Sequence, residues 1–301
     1  MNEFRLPFII EYPDKDDFII AKCYETKQEC YKLTIPTGKQ LEKAIHIKFR
    51  ASDTPLSLSL GIELQEGSSA VIIEDWSGDI KVPEINFVNH ITCQANSNLT
   101  YVVLNGNSHQ TKMTEKRVSN IASDAKCHIF TYHFGNKKLT SRLIQKTSGK
   151  GAEINTDIIA KVTDDRDLSF DCTHEFAEKQ GSGEIVMKGI AQGSAMLNFD
   201  GLVNIKKTGG GSAGYLKQET LNLSPDTTVR AVPALKIDTN DVKAGHSAAI
   251  RNLNEEDLYY FGTRGIEKET AKKLLITGFL EKELKKIKKH KTAYEEVRKL
   301  I

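Results

Sequence analysis

The chain has one tryptophan, seven prolines and almost no net charge, +2 from 42 basic and 40 acidic residues. Each scarcity removes a class of function. A near-neutral balance provides no global attraction to nucleic acid or to an anionic membrane surface. No apolar run approaches the roughly 18 to 20 residues that cross a bilayer. Met1 to Leu6 lacks the basic start, apolar stretch and small-residue cleavage site of a secretory signal. The expectation is a cytoplasmic protein with neither a nucleic-acid nor a membrane partner. The five cysteines, Cys23, Cys30, Cys93, Cys127 and Cys172, are odd in number and form no Cys-x-x-Cys pair. A zinc ribbon or a thioredoxin-type site is therefore not expected. Reduced thiols on strands are the plain reading of Cys23, Cys30 and Cys93. The neighbours of Cys127 and Cys172 leave those two open.

Catalytic signatures are missing as well. Ser148-Gly149-Lys150-Gly151 holds a Gly-Lys pair, but Ile144 stands where a P-loop needs its first glycine and Gly151 where it needs serine or threonine. Gly209-Gly210-Gly211 has no lysine directly after it. Both read as corner turns, and the chain is not expected to hydrolyse nucleotide itself. Neither a G-x-S-x-G elbow nor an H-E-x-x-H pair occurs. Asp164-Asp165 and Glu255-Glu256 read as surface or capping acids. An acid-lined β-helix enzyme acting on polysaccharide remains the alternative, although a single tryptophan offers sugars little to stack on.

What is present is a long succession of short strands. Phe8-Ile9-Ile10, Phe18-Ile19-Ile20 and Ile45 to Phe49 occupy an N-terminal strand-rich segment, residues 1–50. Leu56 to Leu64 alternates apolar with small or polar residues, as a half-buried strand does. From there a small-polar lead-in followed by a strand recurs. Its last residues fall at 70, 98, 125 and 152, steps of 28, 27 and 27, and then at 195, a step of 43 that suggests an extra strand pair. A repeat of this kind suggests stacked β architecture over residues 51–250. A parallel β-solenoid fits best; a sandwich or Greek-key barrel gives the same local signal.

Residues 251–301 change character. Asn254 before Glu255, Glu256 and Asp257 reads as a helix start, and Gly265 as its stop. A second helix runs from about Glu267 with Gly278 as a point where it can bend. Leu284, Ile287, Tyr294, Val297 and Ile301 continue an apolar stripe through a lysine-dense surface. Within it the run Lys282 to Lys291 has no interleaved aromatics, so a solvated face or a docking helix suits it better than a single-strand nucleic-acid site. Cys172 and His174, two apart on one strand, share a face and are potential metal ligands; a strand histidine is more often a hydrogen-bonded core residue. Cys127 and His128 are consecutive and face opposite ways.

The segments Thr173-His174, Ser182 to Ile190, Phe199 to Ile205, Leu221 to Ser224, Pro233 to Ile237, Asp241 to Ala249 and Asp257 to Ile266 carry a resemblance. In order and spacing the C-terminal half resembles the SufB/SufD family of iron–sulfur cluster assembly scaffold proteins, with weaker likeness over roughly residues 60–285. The resemblance implies a right-handed parallel β-helix core followed by a C-terminal helical subdomain. It implies dimerisation through the β-helix, with a second SufB/SufD-type scaffold or a second copy of this chain. A SufC-type ABC ATPase would dock on the C-terminal helices, with Tyr259, Tyr260, Phe261, Arg264, Gly265 and Ile266 as docking positions. The chain would then be a scaffold rather than an enzyme, holding a transient iron–sulfur cluster shared across the dimer interface. His246 is the metal-facing residue that carries over, with Cys172 and His174 as further cluster-binding candidates. Three positions depart from the family pattern: Thr227 stands where SufB proteins place a cysteine, Ser247 where they place glutamate, and Ala244 where SufD proteins commonly place cysteine. A structural interaction module that binds no cluster is the other alternative.

Overall fold

Seven residues recur at one corner of the fold with left-handed backbone: Gly38, Gly67, Asn96, Asp124, Gly151, Gln180 and Gly211. Six are glycine, asparagine or aspartate, the residues that tolerate this conformation. Each N–H donates to a carbonyl of the next coil, from Gly38 to Glu66 (2.9 Å) through to Gly211 to Asp241 (2.7 Å). The hydrogen-bond ladder therefore continues around the corner, leaving few backbone groups unpaired. In the computed structural model, which describes residues 8–12, 17–23, 29–49, 54–77, 82–106 and 110–300, these corners organise a parallel β-solenoid of about seven turns.

Among the described residues eighteen strands, numbered in chain order, make two nine-stranded sheets. One sheet holds β1 (Phe8–Glu11), β4 (Ile45–Phe49), β6 (Ser69–Asp75), β8 (Asn98–Asn105), β10 (Lys126–His133), β12 (Glu153–Val162), β14 (Ser182–Ala191), β16 (Ser212–Asn222) and β18 (Val242–Asn252). The facing sheet holds β2 (Ile19–Cys23), β3 (Glu29–Ile35), β5 (Leu56–Leu64), β7 (Glu84–Cys93), β9 (Lys112–Ile121), β11 (Lys138–Thr147), β13 (Asp167–Phe176), β15 (Met196–Ile205) and β17 (Thr228–Ile237). Among the described residues every pairing among β3 to β18 is parallel, and only β1 on β4 and β2 on β3 are antiparallel. This decides for a solenoid against a sandwich or barrel. The parallel stack starts at Glu29, so β3 and β4 belong to its first coil.

The step of 43 residues has a simple cause. Ala195 leads into β15 on the opposite sheet, so 152 to 195 spans one and a half coils and needs no inserted strand pair. The lead-in that continues the series is Gly181, before β14. Ser148 to Gly151 and Gly209 to Gly211 are corners, as expected. A β-carbon at Gly149 would lie 2.1 Å from the Ser123 backbone nitrogen, so the glycine there serves close coil stacking.

Side chains alternate between lumen and exterior on each strand. Leu33, Leu60, Ile91, Leu143, Phe170 and Phe199 belong to the fully buried lumen core. The exterior of the β18 sheet carries a second apolar cluster, and this is what the tail covers. α1 (Glu255–Gly262), α2 (Lys268–Lys286) and α3 (Lys291–Leu300) follow β18. Leu280, Leu284, Ile287 and Val297 are buried against Val102, Phe130, Tyr132, Ile159 and Ile190 of the strands. Each such side chain contributes roughly 1.5–3 kcal/mol by leaving water. The apolar stripe of the tail is thus satisfied within this chain. α2 runs through Gly278, and the helical break comes at 287–290, splitting the lysine-dense run. Ile301 and Met1 to Leu6 lie outside the described residues. Among the described residues no helix is long and apolar enough to cross a membrane.

Candidate functional site: the open coil and its histidine

The two ends of the solenoid differ. At the N-terminal end β1 and β2 fold back antiparallel over the first coil. At the other end β17 and β18 are the last strands of their sheets. Both are long, 10 and 11 residues, and neither has a fully buried residue. Val232, Ile237 and Ile250 are exposed there, with Ala248 and Ala249 beside them. An edge strand presents a row of unpaired N–H and C=O groups, which natural proteins blunt with charge, proline or a covering element. Here the solenoid ends on two such edges that carry Pro233, Arg230 and Lys236 on β17 and Lys243 and Arg251 on β18 but no covering element among the described residues, with Val232, Ile237 and Ile250 exposed along them.

His246 lies on this rung. It pairs in register with Leu216, which belongs to the lumen core. Parallel register places His246 on the lumen side of the last coil, and the coil's open end leaves it exposed. Gly245 sits over Tyr215, where a β-carbon would make only ordinary contact at 3.5 Å. Ser247, Ala248 and Ala249 complete a stretch with little side-chain bulk. Thr227 holds the turn into β17, its hydroxyl donating to Asn222 Oδ1 and to the Ser224 carbonyl at 3.0 Å.

Cys172 and His174 share a face as expected, and that face is the lumen. They stand two rungs in from β17, on the sheet opposite His246, so the fold does not bring the three together. Burial pushes the Cys172 thiol up to about 12 and the His174 imidazole down to about 3. His174 Nε2 lies 2.9 Å from Thr156 Oγ1 and 3.5 Å from Gln145 Nε2. A neutral thiol is a poor metal ligand. Cys127 is buried in the lumen, whereas His128 faces outward, 2.6 Å from Asp157 and stacked on Phe130. Among the described residues no group of three His, Cys, Asp or Glu side chains is placed to hold a metal ion.

Two polar groupings were not legible beforehand. In the lumen, Arg117 donates to Glu74 Oε1 and Oε2 (2.6 and 2.8 Å) and to Glu115 Oε2 (2.7 Å), with all three side chains fully buried. Burial pushes the Glu115 carboxyl up, but the Arg117 charge and other partners outweigh it and hold it low. Burial and Arg117 hold His133 at about 4 against the opposing pull of Glu115. On the exterior, Lys188 Nζ contacts Glu283 Oε2 (2.8 Å) and Glu219 Oε2 (3.2 Å), while Lys286 Nζ contacts Asp157 Oδ1 (2.5 Å). These contacts clamp α2 to the sheet. Glu115 and Arg117 are two apart, the spacing of a shared strand face. That was the signal available, but it could not say which face is inward.

α1 stands apart from the clamp and packs on α2. Leu258 is buried, whereas Tyr259 and Tyr260 are 74% and 57% exposed. The Arg264 guanidinium lies over the Tyr260 ring at 4.8 Å. Gly265 takes left-handed backbone, and Ile266 N–H returns to the Phe261 carbonyl at 3.1 Å, closing the helix end. The six expected docking positions thus form one continuous surface turn.

Fold and site together define a class: a parallel β-solenoid with one end uncapped, a histidine on the open rung, and helices clamped to one flank. Residues 49–279 match the family described as SUF system FeS cluster assembly, SufBD core domain. The chain belongs to that family. It is 27% identical over 255 residues to the iron-sulfur cluster assembly protein SufD of Bacillus subtilis, covering 82% of this chain and 58% of that protein. It is 42% identical over 91 residues to the chloroplastic protein ABCI7 of Arabidopsis thaliana, 30% of this chain and 19% of that protein. A Synechocystis SufBD family protein, slr0074, is 30% identical over 95 residues, 32% of this chain and 20% of that protein. The chain therefore spans between about a fifth and three fifths of the lengths of these relatives.

Proposed function

We propose that this chain is a scaffold subunit of a SUF-type iron–sulfur cluster assembly complex, with the open coil as the seat of a second scaffold. The observation that carries this reading is the pair of uncapped edges, β17 and β18, with His246 on the lumen side of the same rung. Edge-to-edge pairing would satisfy their backbone groups and cover Val232, Ile237 and Ile250. The second scaffold is a SufB/SufD-type relative or a second copy. The cluster is cargo: His246 offers an accessible imidazole to iron, and the thiolates that this rung lacks would come from a facing SufB/SufD-type relative, because a second copy brings only another His246. Cys172 and His174 are subsidiary, because cargo reaches them only when coils part.

The C-terminal helical unit, residues 251–301, receives a SufC-type ABC ATPase on the turn from Tyr259 to Ile266. Two exposed tyrosines, one stacked under Arg264, are the kind of anchor that dominates a protein interface. ATP hydrolysis belongs to that partner, and this chain is not itself an enzyme. It works in the cytoplasm.

Co-expression with a SufC-type ATPase tests this. The tagged native chain should retain the ATPase, and Tyr259→Ala with Tyr260→Ala should lose it while melting at the same temperature. Failure of the native chain to retain any such ATPase would overturn the docking assignment.

A further inference from the structure

We propose that Cys23 and Cys30 form a reversible cross-strand disulfide, made by exchange with a low-molecular-weight disulfide, that locks the hairpin closing the N-terminal end of the solenoid. The two cysteines are direct partners in the antiparallel register of β2 on β3. Directly opposed residues in such a pair have Cα atoms about 4.5 or 5.5 Å apart, depending on the hydrogen-bonding site. Both spacings fall within the roughly 4.4–6.8 Å that a disulfide spans. Opposed side chains also share a face.

That face is the exterior. Tyr31, Leu33 and Ile35 of β3 are buried in the lumen, so Cys30, Lys32 and Thr34 point outward, and Cys23 lies beside Cys30. Both thiols are half-buried, within reach of a small reagent, whereas Cys93, Cys127 and Cys172 are sealed in the core. A hydrogen bond with the neighbouring Cys93, together with burial, pushes the Cys127 thiol up, and both side chains are enclosed in the core. The five cysteines thus divide by geometry into an accessible opposed pair and three enclosed thiols.

The exchange balances. One thiolate attacks the reagent disulfide, forming a mixed disulfide and releasing one small thiol. The second thiolate displaces the other half, so two small thiols leave with the two S–H protons. The cysteines lose two electrons and the reagent gains them. In a reducing environment the pair rests as dithiol and closes on oxidation. The bond joins the outermost strand of one sheet to its first parallel coil.

The full chain is incubated with glutathione disulfide, quenched with iodoacetamide, digested without reduction and mapped by mass spectrometry. The expected product links Cys23 to Cys30 within one molecule, with Cys93, Cys127 and Cys172 alkylated only after denaturation. Cys23→Ser and Cys30→Ser should each hold a stable glutathione adduct on the remaining cysteine, because no partner resolves it. Amide exchange across Ile19 to Cys23 should slow on oxidation and recover with a reducing thiol. Stable adducts on both cysteines of the native chain, or a link between two molecules, would overturn the proposal.

Discussion

Replacing Arg117 by methionine tests how the lumen holds charge. The guanidinium is fully buried and donates three hydrogen bonds to Glu74 and Glu115 at 2.6, 2.7 and 2.8 Å. It also lies 5.1 Å from the Phe87 ring centroid and 5.9 Å from that of Tyr101. Methionine replaces most of the stem packing, so the loss is chiefly electrostatic. Removing one partner of a buried ion pair costs roughly 3–5 kcal/mol, because the remaining charge stays desolvated. With roughly 2–4 °C per kcal/mol for chains somewhat smaller than this one, the midpoint should fall by about 6–20 °C. The measurement is thermal unfolding followed by circular dichroism at pH 7.5 and pH 5. Without Arg117 the burial of Glu115 is no longer offset by that charge, which favours its protonated form in the folded chain. The stability it contributes is then present in acid and lost as pH rises, so the deficit should shrink at pH 5. The triple change Glu74→Gln, Arg117→Met and Glu115→Gln should recover part of the loss. A midpoint shift below about 1 °C for Arg117→Met, on that same scale, would refute the reasoning. So would a triple variant that melts no higher than the single one.

Further outcomes follow from burial and close approach. His133 and His174 are held near 4 and 3 in the folded chain, below their unfolded value. Their contribution is therefore present above about pH 6.5 and lost as pH falls toward their folded values, about 2 kcal/mol each between pH 7.5 and 5. Urea titrations should show His133→Gln with His174→Gln flattening this acid limb, and an unchanged slope would contradict the burial of these rings. Gly183→Ala places a β-carbon 1.7 Å from the Ile154 carbonyl oxygen and should lower stability sharply, by roughly 2 kcal/mol or more. Gly278→Ala, with nothing within 4 Å of the added carbon inside α2, should raise stability by about 0.5–1 kcal/mol. Reversal of that order in calorimetry would contradict the coil stacking.

The solenoid was legible because its corner chemistry repeats: Gly67, Asn96, Asp124 and Gly151 precede the lead-ins at 70, 98, 125 and 152. The series broke at 195 because both sheets use similar corners, and a one-dimensional pattern does not say which sheet a strand joins. β3 escaped notice because Glu29-Cys30 opens it with polar residues and its lumen positions number only three. The tail's apolar stripe was visible, but its target was not. Leu280, Leu284 and Ile287 cover an outward apolar face on β8, β10, β12 and β14 that exists only once the coils stack. For the site, family likeness supplied His246, and register with Leu216 supplied its direction. The lumen charges stayed hidden because Glu115 and Arg117 obey the alternation that elsewhere marks a solvent face.

The open end is the centre of this account, and sedimentation tests it most directly. The native chain, alone or mixed with a second SufBD-family scaffold, should sediment as a dimer. Val232→Lys with Ile250→Lys, two exposed positions on the terminal strands, should sediment as a monomer and melt as the native chain does. A native chain that stays monomeric in both settings, or a variant as dimeric as the native, would contradict it.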